Sequence, residues 1–197
     1  MTSPSDVIEF WITEVGEARW YVNDPALDAQ IRDQFLPLWQ QAADGGLHEW
    51  LTQPQGALAY LILTDQMPRN MFRGEGRAFS TDAQARAAAK HAIDQGFDLK
   101  IDGPKRQFFY MPLMHSECLS DQDRCVRLMH TRMDGGGGQN LRHARAHREV
   151  IRAFGRFPAR NVALDRASTA REAEYVSNNG YGAMLDKVDA MPCKMAS

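Results

Sequence analysis

The stretch Gly56-Ala-Leu-Ala-Tyr-Leu-Ile-Leu63 decides the fold class, because it is apolar on every face. Thr52 and Pro54 precede it, as is usual at the start of a helix, so the segment is predicted to form a helix that is buried all round. A short apolar run is also compatible with a buried strand. We favour the helix because no other segment of the chain shows a convincing strand pattern with which it would pair.

Helical periodicity continues on both sides of this stretch. Apolar residues recur at helical spacing over 7–15 and over 27–39, where Pro37 is expected to kink or divide the helix. Thr81 and Gln84 have the spacing of a capping box before an alanine-rich run. The sequence therefore predicts an all-α fold of about eight or nine helices with short connections. Further helices are predicted around 104–115, 121–133, 139–155 and 169–177.

Composition places the chain among globular proteins. It has 197 residues, a formal net charge of −2, 44% hydrophobic and 24% charged residues, which excludes disordered and collagen-like classes. No apolar stretch approaches the roughly 20 residues that cross a bilayer, and the first residues lack a signal peptide, so we expect a cytoplasmic protein without a membrane partner. A single helical domain is predicted over 1–177, and a loosely ordered tail over 178–197, where helical periodicity is lost.

Charge and cysteine content narrow the range of partners and cofactors. The near-neutral charge argues against nucleic acid as a partner. Cys118, Cys125 and Cys193 are odd in number and show no CxxC pairing, so neither a disulfide framework nor a zinc-finger site is predicted. The sequence predicts no cofactor.

A first chemical cluster follows the apolar stretch. Asp65 ends the predicted buried helix, and Arg69, Arg73 and Arg77 follow it at intervals of four residues. A buried carboxylate is costly unless it is paired, so one interpretation is a structural ion pair that ties the turn together. The other makes Asp65 a base or metal ligand and the arginines an anion clamp, because a guanidinium group matches a carboxylate or phosphate.

A second cluster lies on the helix predicted over 139–155. His143 and His147 are four residues apart on its apolar face, so both could contact one ligand or metal, although a hydrogen-bonded core histidine has the same pattern. No glutamate lies between them in the HExxH manner. The opposite face carries a ridge of arginines that is typical of a solvated surface rather than a nucleic-acid site: Arg142, Arg145, Arg148, Arg152 and Arg156.

The remaining candidates are a third cluster and a short turn sequence that occurs twice in the chain. His115 and Glu117 follow an aromatic run, and they are better motivated as an acid–base pair or metal ligands than as part of a serine triad. An Arg-Asn turn occurs twice, in 67–70 and in 157–161. One interpretation of this repeat is that both turns have the same local residue preferences. The other is that two equivalent helix ends present Arg and Asn to one cleft.

Four segments carry a resemblance to a known family. They are Leu63-Thr-Asp-Gln-Met-Pro-Arg-Asn-Met-Phe-Arg-Gly74, Arg77-Ala-Phe-Ser-Thr-Asp82, Phe109-Tyr-Met-Pro-Leu-Met-His-Ser-Glu117 and the pattern from His147 to Asn161. Together they resemble the signatures of an uncharacterised bacterial helical family, the domain of unknown function numbered nine-twenty-four. The resemblance implies an α/α superhelix of antiparallel helix pairs, of the tetratricopeptide-like class. It also implies a shared polar set without a known reaction: Asp65, Arg69, Asn70, Arg73, Asp82, His115, Glu117, His147, Arg156, Arg160 and Asn161.

The leading functional hypothesis is a polar, arginine-rich pocket that binds a small anionic molecule, with or without a reaction on it. The candidate catalytic residues are Asp65, His115, Glu117 and His147, and the last three are expected to converge on one pocket that Asp65 can reach. The alternative is a non-catalytic repeat scaffold that binds a peptide or protein partner, and RNA binding comes third. The sequence identifies neither a metal nor a reaction. The candidate substrate-binding residues are Arg69, Asn70, Arg73, Arg156, Arg160 and Asn161.

Overall fold

The computed structural model describes residues 2–191 and is 75% helical. That range contains no β-strand, which confirms the all-α class, and no helix in it is long and apolar enough to cross a membrane. The last six residues of the predicted tail, Cys193 among them, lie outside the described residues. The described residues form ten α-helices: α1 (Pro4–Ile8), α2 (Pro25–Ala43), α3 (Pro54–Leu61), α4 (Met67–Met71), α5 (Asp82–Asp94), α6 (Met111–Met114), α7 (Leu119–Arg132), α8 (Gly138–Phe154), α9 (Ala170–Ser177) and α10 (Gly180–Asp189).

The chain divides into two compact units, a first that ends at Pro112 and a second that begins at Leu113. The single domain predicted over 1–177 and the tetratricopeptide-like superhelix stay predictions.

The decisive apolar stretch forms α3 at the centre of the first unit. The helix continues into a π-helical turn, Ile62–Gln66, and then into α4, and every residue from 56 to 68 is buried. A Cβ atom on Gly56 would lie 2.2 Å from the carbonyl oxygen of Trp50, so only glycine allows α3 to pack this closely against the preceding turn. The strand interpretation is therefore wrong.

The expected division of α2 at Pro37 and the expected cap at Thr81 are also wrong, while a kink at Pro37 stays a prediction. α2 runs unbroken through Pro37, which lies on its exposed side, where water can solvate the backbone group that loses its partner. Thr81 does not cap α5. Its hydroxyl donates to the carbonyl of Thr64 at 2.6 Å and accepts from the indole of Trp39 at 3.3 Å. These tertiary hydrogen bonds engage the hydroxyl that the local pattern predicts as the helix cap.

The second unit is built on α8. Thr169 and Glu172 form the capping box of α9, as the sequence pattern indicates. α10 corrects the prediction of a loosely ordered tail from 178, because an apolar face of this segment packs into a core with α8. That core contains Ala146, Val150, Ile151 and Phe157 together with Met184 and Val188 of α10, and Tyr181 and Leu185 pack against it.

Candidate functional site

The second unit contains a cavity of about 470 Å³, a size that suits a small molecule. Residues of α8, α9 and α10 line it, together with the turn over 157–160. The lining is largely apolar and aromatic, and nitrogen-bearing polar groups reach it from His147, Arg160 and Asn179.

A hydrogen-bonded group of three side chains joins α8 to α10 at the cavity wall. Nδ1 of His147 lies 2.9 Å from the carbonyl oxygen of His143 and 3.0 Å from the hydroxyl of Tyr181. The same hydroxyl lies 2.8 Å from Nδ1 of His143. Tyr181 therefore bridges two imidazoles that are one helical turn apart.

The hydrogen-bond partners determine which ring nitrogens of His147 and His143 carry a proton. A backbone carbonyl only accepts, so Nδ1 of His147 carries a proton and donates it, which leaves Nε2 as an unprotonated acceptor. The Tyr181 hydroxyl then donates to Nδ1 of His143. Each ring thus has a defined tautomer.

Electrostatics keep His147 neutral. Burial is the largest cause that lowers its pKa, and the charges of His115 and Arg160 act in the same direction against the bond to the His143 carbonyl; together they lower the pKa from 6.5 to about 3. Burial also lowers the pKa of His143 and raises the pKa of Tyr181. At neutral pH the group is therefore uncharged, and His147 accepts hydrogen bonds but is a weak proton acceptor.

The structure places His115 beside His147, with 6.3 Å between the ring centroids. Glu117 has a different environment: it accepts a hydrogen bond from the backbone N–H of Phe157 at 2.8 Å and a bidentate pair of bonds from Arg166, the shortest at 2.8 Å. Burial raises the pKa of Glu117, but the bonds from Arg166 and Phe157 outweigh burial and lower it overall. Glu117 therefore anchors the cavity wall, because Phe157 lines the cavity.

The predicted arginines of the second unit differ in their partners. Arg160 lines the cavity and its guanidinium lies over the ring of Phe157, 4.4 Å from the centroid. Arg156 lies beyond the end of α8, not on its face, and makes a bidentate ion pair with Glu172 at 2.6 and 2.8 Å beside a smaller hollow of about 320 Å³. Arg156 therefore fixes the start of α9.

Asn161 holds the turn that presents Arg160. Its side-chain nitrogen donates to the hydroxyl of Ser168 at 3.0 Å, and its side-chain oxygen accepts from Nε of Arg166 at 3.1 Å. Because Arg166 also binds Glu117, one buried asparagine links the turn to the carboxylate behind the cavity wall.

The remaining candidates lie in the first unit and make their own network. Asp65 is 1% exposed on the π-helical turn, where Gln66 donates to its Oδ2 at 2.5 Å and Arg69 lies 3.5 Å from Oδ1. Arg69 also donates to the backbone carbonyl of Asp65 and pairs with Asp82 at 3.0 Å. These contacts give Asp65 a structural role, and its convergence with the histidines stays a prediction.

Asn70 and Arg73 share a partner that the spacing from Asp65 does not indicate. Nε and Nη2 of Arg73 donate to Asp28 of α2 at 2.7 and 2.9 Å, and the Asn70 amide donates to the same carboxylate at 2.8 Å. These side chains therefore hold α4 against α2.

The arginine ridge of α8 is a set of ion pairs. Arg142 makes a bidentate pair with Asp189 of α10, and Arg152 pairs with Glu149 at 2.9 Å. Arg148 and Arg152 each lie 3.5 Å from Asp123 of α7. Carboxylates therefore neutralise much of the ridge, as expected for a solvated structural surface. Over residues 2–191, no group of three or more His, Cys, Asp or Glu side chains could hold a metal ion.

Sequence reasoning misses Tyr181, which closes the cavity from α10. Its signal is present, because Tyr181, Met184 and Val188 have the spacing of one helical face. The two glycines at 180 and 182 obscure it.

Comparison with known proteins gives the chain a family. A solved structure of a protein of unknown function from Agrobacterium tumefaciens is 37% identical, with a TM-score of 0.82, and the match covers 88% of this chain and 96% of that one. No curated protein matches. The family model described as bacterial protein of unknown function, DUF924, matches residues 7–180 and confirms the resemblance found in the sequence. The chain therefore belongs to the DUF924 family of bacterial proteins.

Proposed function

We propose that the second unit binds a small anionic molecule in the cavity between α8, α9 and α10. One observation carries this proposal: Arg160 lies on the cavity wall within reach of the neutral His147. The positive charge of Arg160 lowers the pKa of both His147 and Glu117, so its field extends into this region. An arginine beside aromatic surface and hydrogen-bonding groups is a typical anion site.

The residues around Arg160 have supporting roles in this proposal. His147 contacts the ligand, and His115 lies beside it. Glu117 and Asn161 hold the turn over 157–166 and are positioning residues. The low pKa of His147 favours a binding site over one in which His147 acts as a general base near neutral pH. A reaction by Asp65, His115, Glu117 and His147 stays a prediction.

The test compares an acid with its neutral amide. Ligand-observed NMR titrations with phenylacetate and phenylacetamide should show that the acid binds about tenfold more tightly or better, because only the acid has a charge for Arg160. Arg160→Gln should abolish the preference. Arg152→Gln is the matched control, because Arg152 is exposed on α8 and pairs with Glu149.

Two results would contradict the proposal. Equal affinity of the acid and the amide for the parent protein removes the anion site. An equal loss in Arg152→Gln and Arg160→Gln shows a general charge effect of the surface. Circular dichroism melts of both variants establish that each is folded.

The peptide-scaffold hypothesis has one observation in its favour. Val176 lines the cavity but is 49% exposed, which extends the apolar surface outward from it. A terminal carboxylate of a peptide would then occupy the anion site. A hexapeptide with a free carboxyl end that binds much more tightly than phenylacetate, while its amidated form does not, would favour the scaffold.

A further inference from the structure

We infer that the cavity selects aromatic acids that also carry an N–H or O–H donor, because His147 offers the ligand a nitrogen that only accepts. This inference rests on the proposed anion-binding function and specifies its ligand class. The donor would bind Nε2 of His147, the acid would face Arg160, and the aromatic body would lie between them.

The first step concerns the two nitrogens of His147. Within residues 2–191, the hydrogen bonds of this side chain all involve Nδ1, which the His143 carbonyl and the Tyr181 hydroxyl hold at 2.9 and 3.0 Å. Nε2 lies on the other edge of the same ring, and His147 lines the cavity. An apolar group bound over this acceptor would remove its hydrogen bond to water without replacing it, so a ligand donor at this point is favoured over an apolar group.

The second step concerns the neighbouring imidazole. With 6.3 Å between their centroids, the rings of His115 and His147 are too far apart for a direct nitrogen-to-nitrogen hydrogen bond. His115 therefore does not satisfy Nε2 of His147.

The third step concerns the distance between the acceptor and the cation. The guanidinium of Arg160 lies 4.4 Å from the ring centroid of Phe157, and the ring of His147 lies 5.5 Å from the same centroid in an edge-to-face arrangement. Both groups thus border one phenyl ring, and a single small ligand can reach both. Tyr175 and Tyr181 add aromatic surface that suits a planar ring.

The test uses three acids that differ only at the para position. In NMR titrations of the full chain, 4-hydroxyphenylacetate should bind about tenfold more tightly than phenylacetate and 4-methoxyphenylacetate, because only the first donates. His147→Phe should remove this preference and favour the two acids without a donor. Tyr175→Phe is the matched control: it removes a hydroxyl from the same cavity outside the histidine group, and it should keep the parent's order of affinities.

A second measurement does not depend on whether His147→Phe folds. Nitrogen-15 NMR of the histidine rings in the parent protein should show His147 protonated at Nδ1 and bare at Nε2. A protonated Nε2 would overturn the inference.

The outcomes separate the inference from the function on which it rests. Equal binding of the three acids, with phenylacetamide still rejected, overturns the donor selection and leaves the anion site in place. Equal binding of phenylacetate and phenylacetamide removes the anion site, and the selection of donor-bearing acids with it.

Discussion

Replacement of Asp65 by alanine tests how the first unit uses its buried carboxylate. The substitution leaves the amide of Gln66, which is 5% exposed, without its acceptor, and an unsatisfied buried donor costs about 1–3 kcal/mol. Loss of one partner of a fully buried ion pair costs about 3–5 kcal/mol. Arg69 is 21% exposed and keeps Asp82 at 3.0 Å, so its contribution is smaller. We expect Asp65→Ala to lower the free energy of unfolding by about 3 kcal/mol.

Tryptophan fluorescence in urea reports this loss of stability from the first unit of the structure, which contains Asp65. The four tryptophans of the chain lie at positions 11, 20, 39 and 50, all in the first unit. The urea midpoint should fall while the slope stays constant. Asp102→Ala is the control, because the Asp102 side chain is 97% exposed, and loss of its 3.4 Å contact with Arg106 should cost less than about 1 kcal/mol.

A third variant separates the hydrogen bond from the charge. Asp65→Asn keeps an oxygen that can accept from Gln66 but removes the charge that faces Arg69. An intermediate midpoint is expected. If Asp65→Ala unfolds at the same urea concentration as Asp102→Ala, the carboxylate does not stabilise the unit and the assignment of a structural ion pair is wrong.

Three further outcomes test other parts of the molecule. Arg73→Ala should destabilise the first unit by about 2 kcal/mol in the same urea assay, because Asp28 loses its bidentate partner; weaker ligand binding at unchanged stability would contradict this. Gly56→Ala usually stabilises a helix, but here its Cβ would meet the Trp50 carbonyl, so a cost of about 1–3 kcal/mol is expected. The folded pKa of His147 lies below its unfolded value, so thermal melts should show stability falling from pH 6.5 towards pH 3, by at most about 1.4 kcal/mol per pH unit from this group, and His147→Phe should flatten the upper part of the curve.

Helix positions follow from the sequence where the determining contacts are local. Ser3 and Thr169 cap their helices through residues three positions along, so spacing alone predicts them. Thr81 has the same pattern, but Trp39, 42 residues away, and Thr64 take its hydroxyl. Pro37 does not divide α2, because its exposed position makes the lost backbone bond tolerable. Tertiary position therefore decides these two cases.

The candidate site is predicted less completely, because its partners are distant in the sequence. Spacing at intervals of four correctly indicates the Asp65–Arg69 pair. It gives no indication that Arg73 binds a carboxylate 45 residues away, or that the partner of Glu117 is Arg166, 49 residues away. Ion pairs between elements that are distant in the sequence depend on how those elements pack, so the spacing of residues within one helix does not predict them.

The arginines of this chain show why a count of cations overstates anion-binding capacity. When a carboxylate occupies the fork of a guanidinium, as Glu172 does for Arg156 and Asp28 for Arg73, a ligand anion has to displace a bidentate partner before it binds. A guanidinium that stacks by its face on an aromatic ring directs its in-plane N–H groups outward. The guanidinium of Arg160 lies over the ring of Phe157 at the cavity wall, 4.4 Å from the ring centroid. Position on the cavity wall, and not the density of arginine in the sequence, distinguishes the residue that we assign to the ligand from Arg156 and Arg73, which hold the fold together.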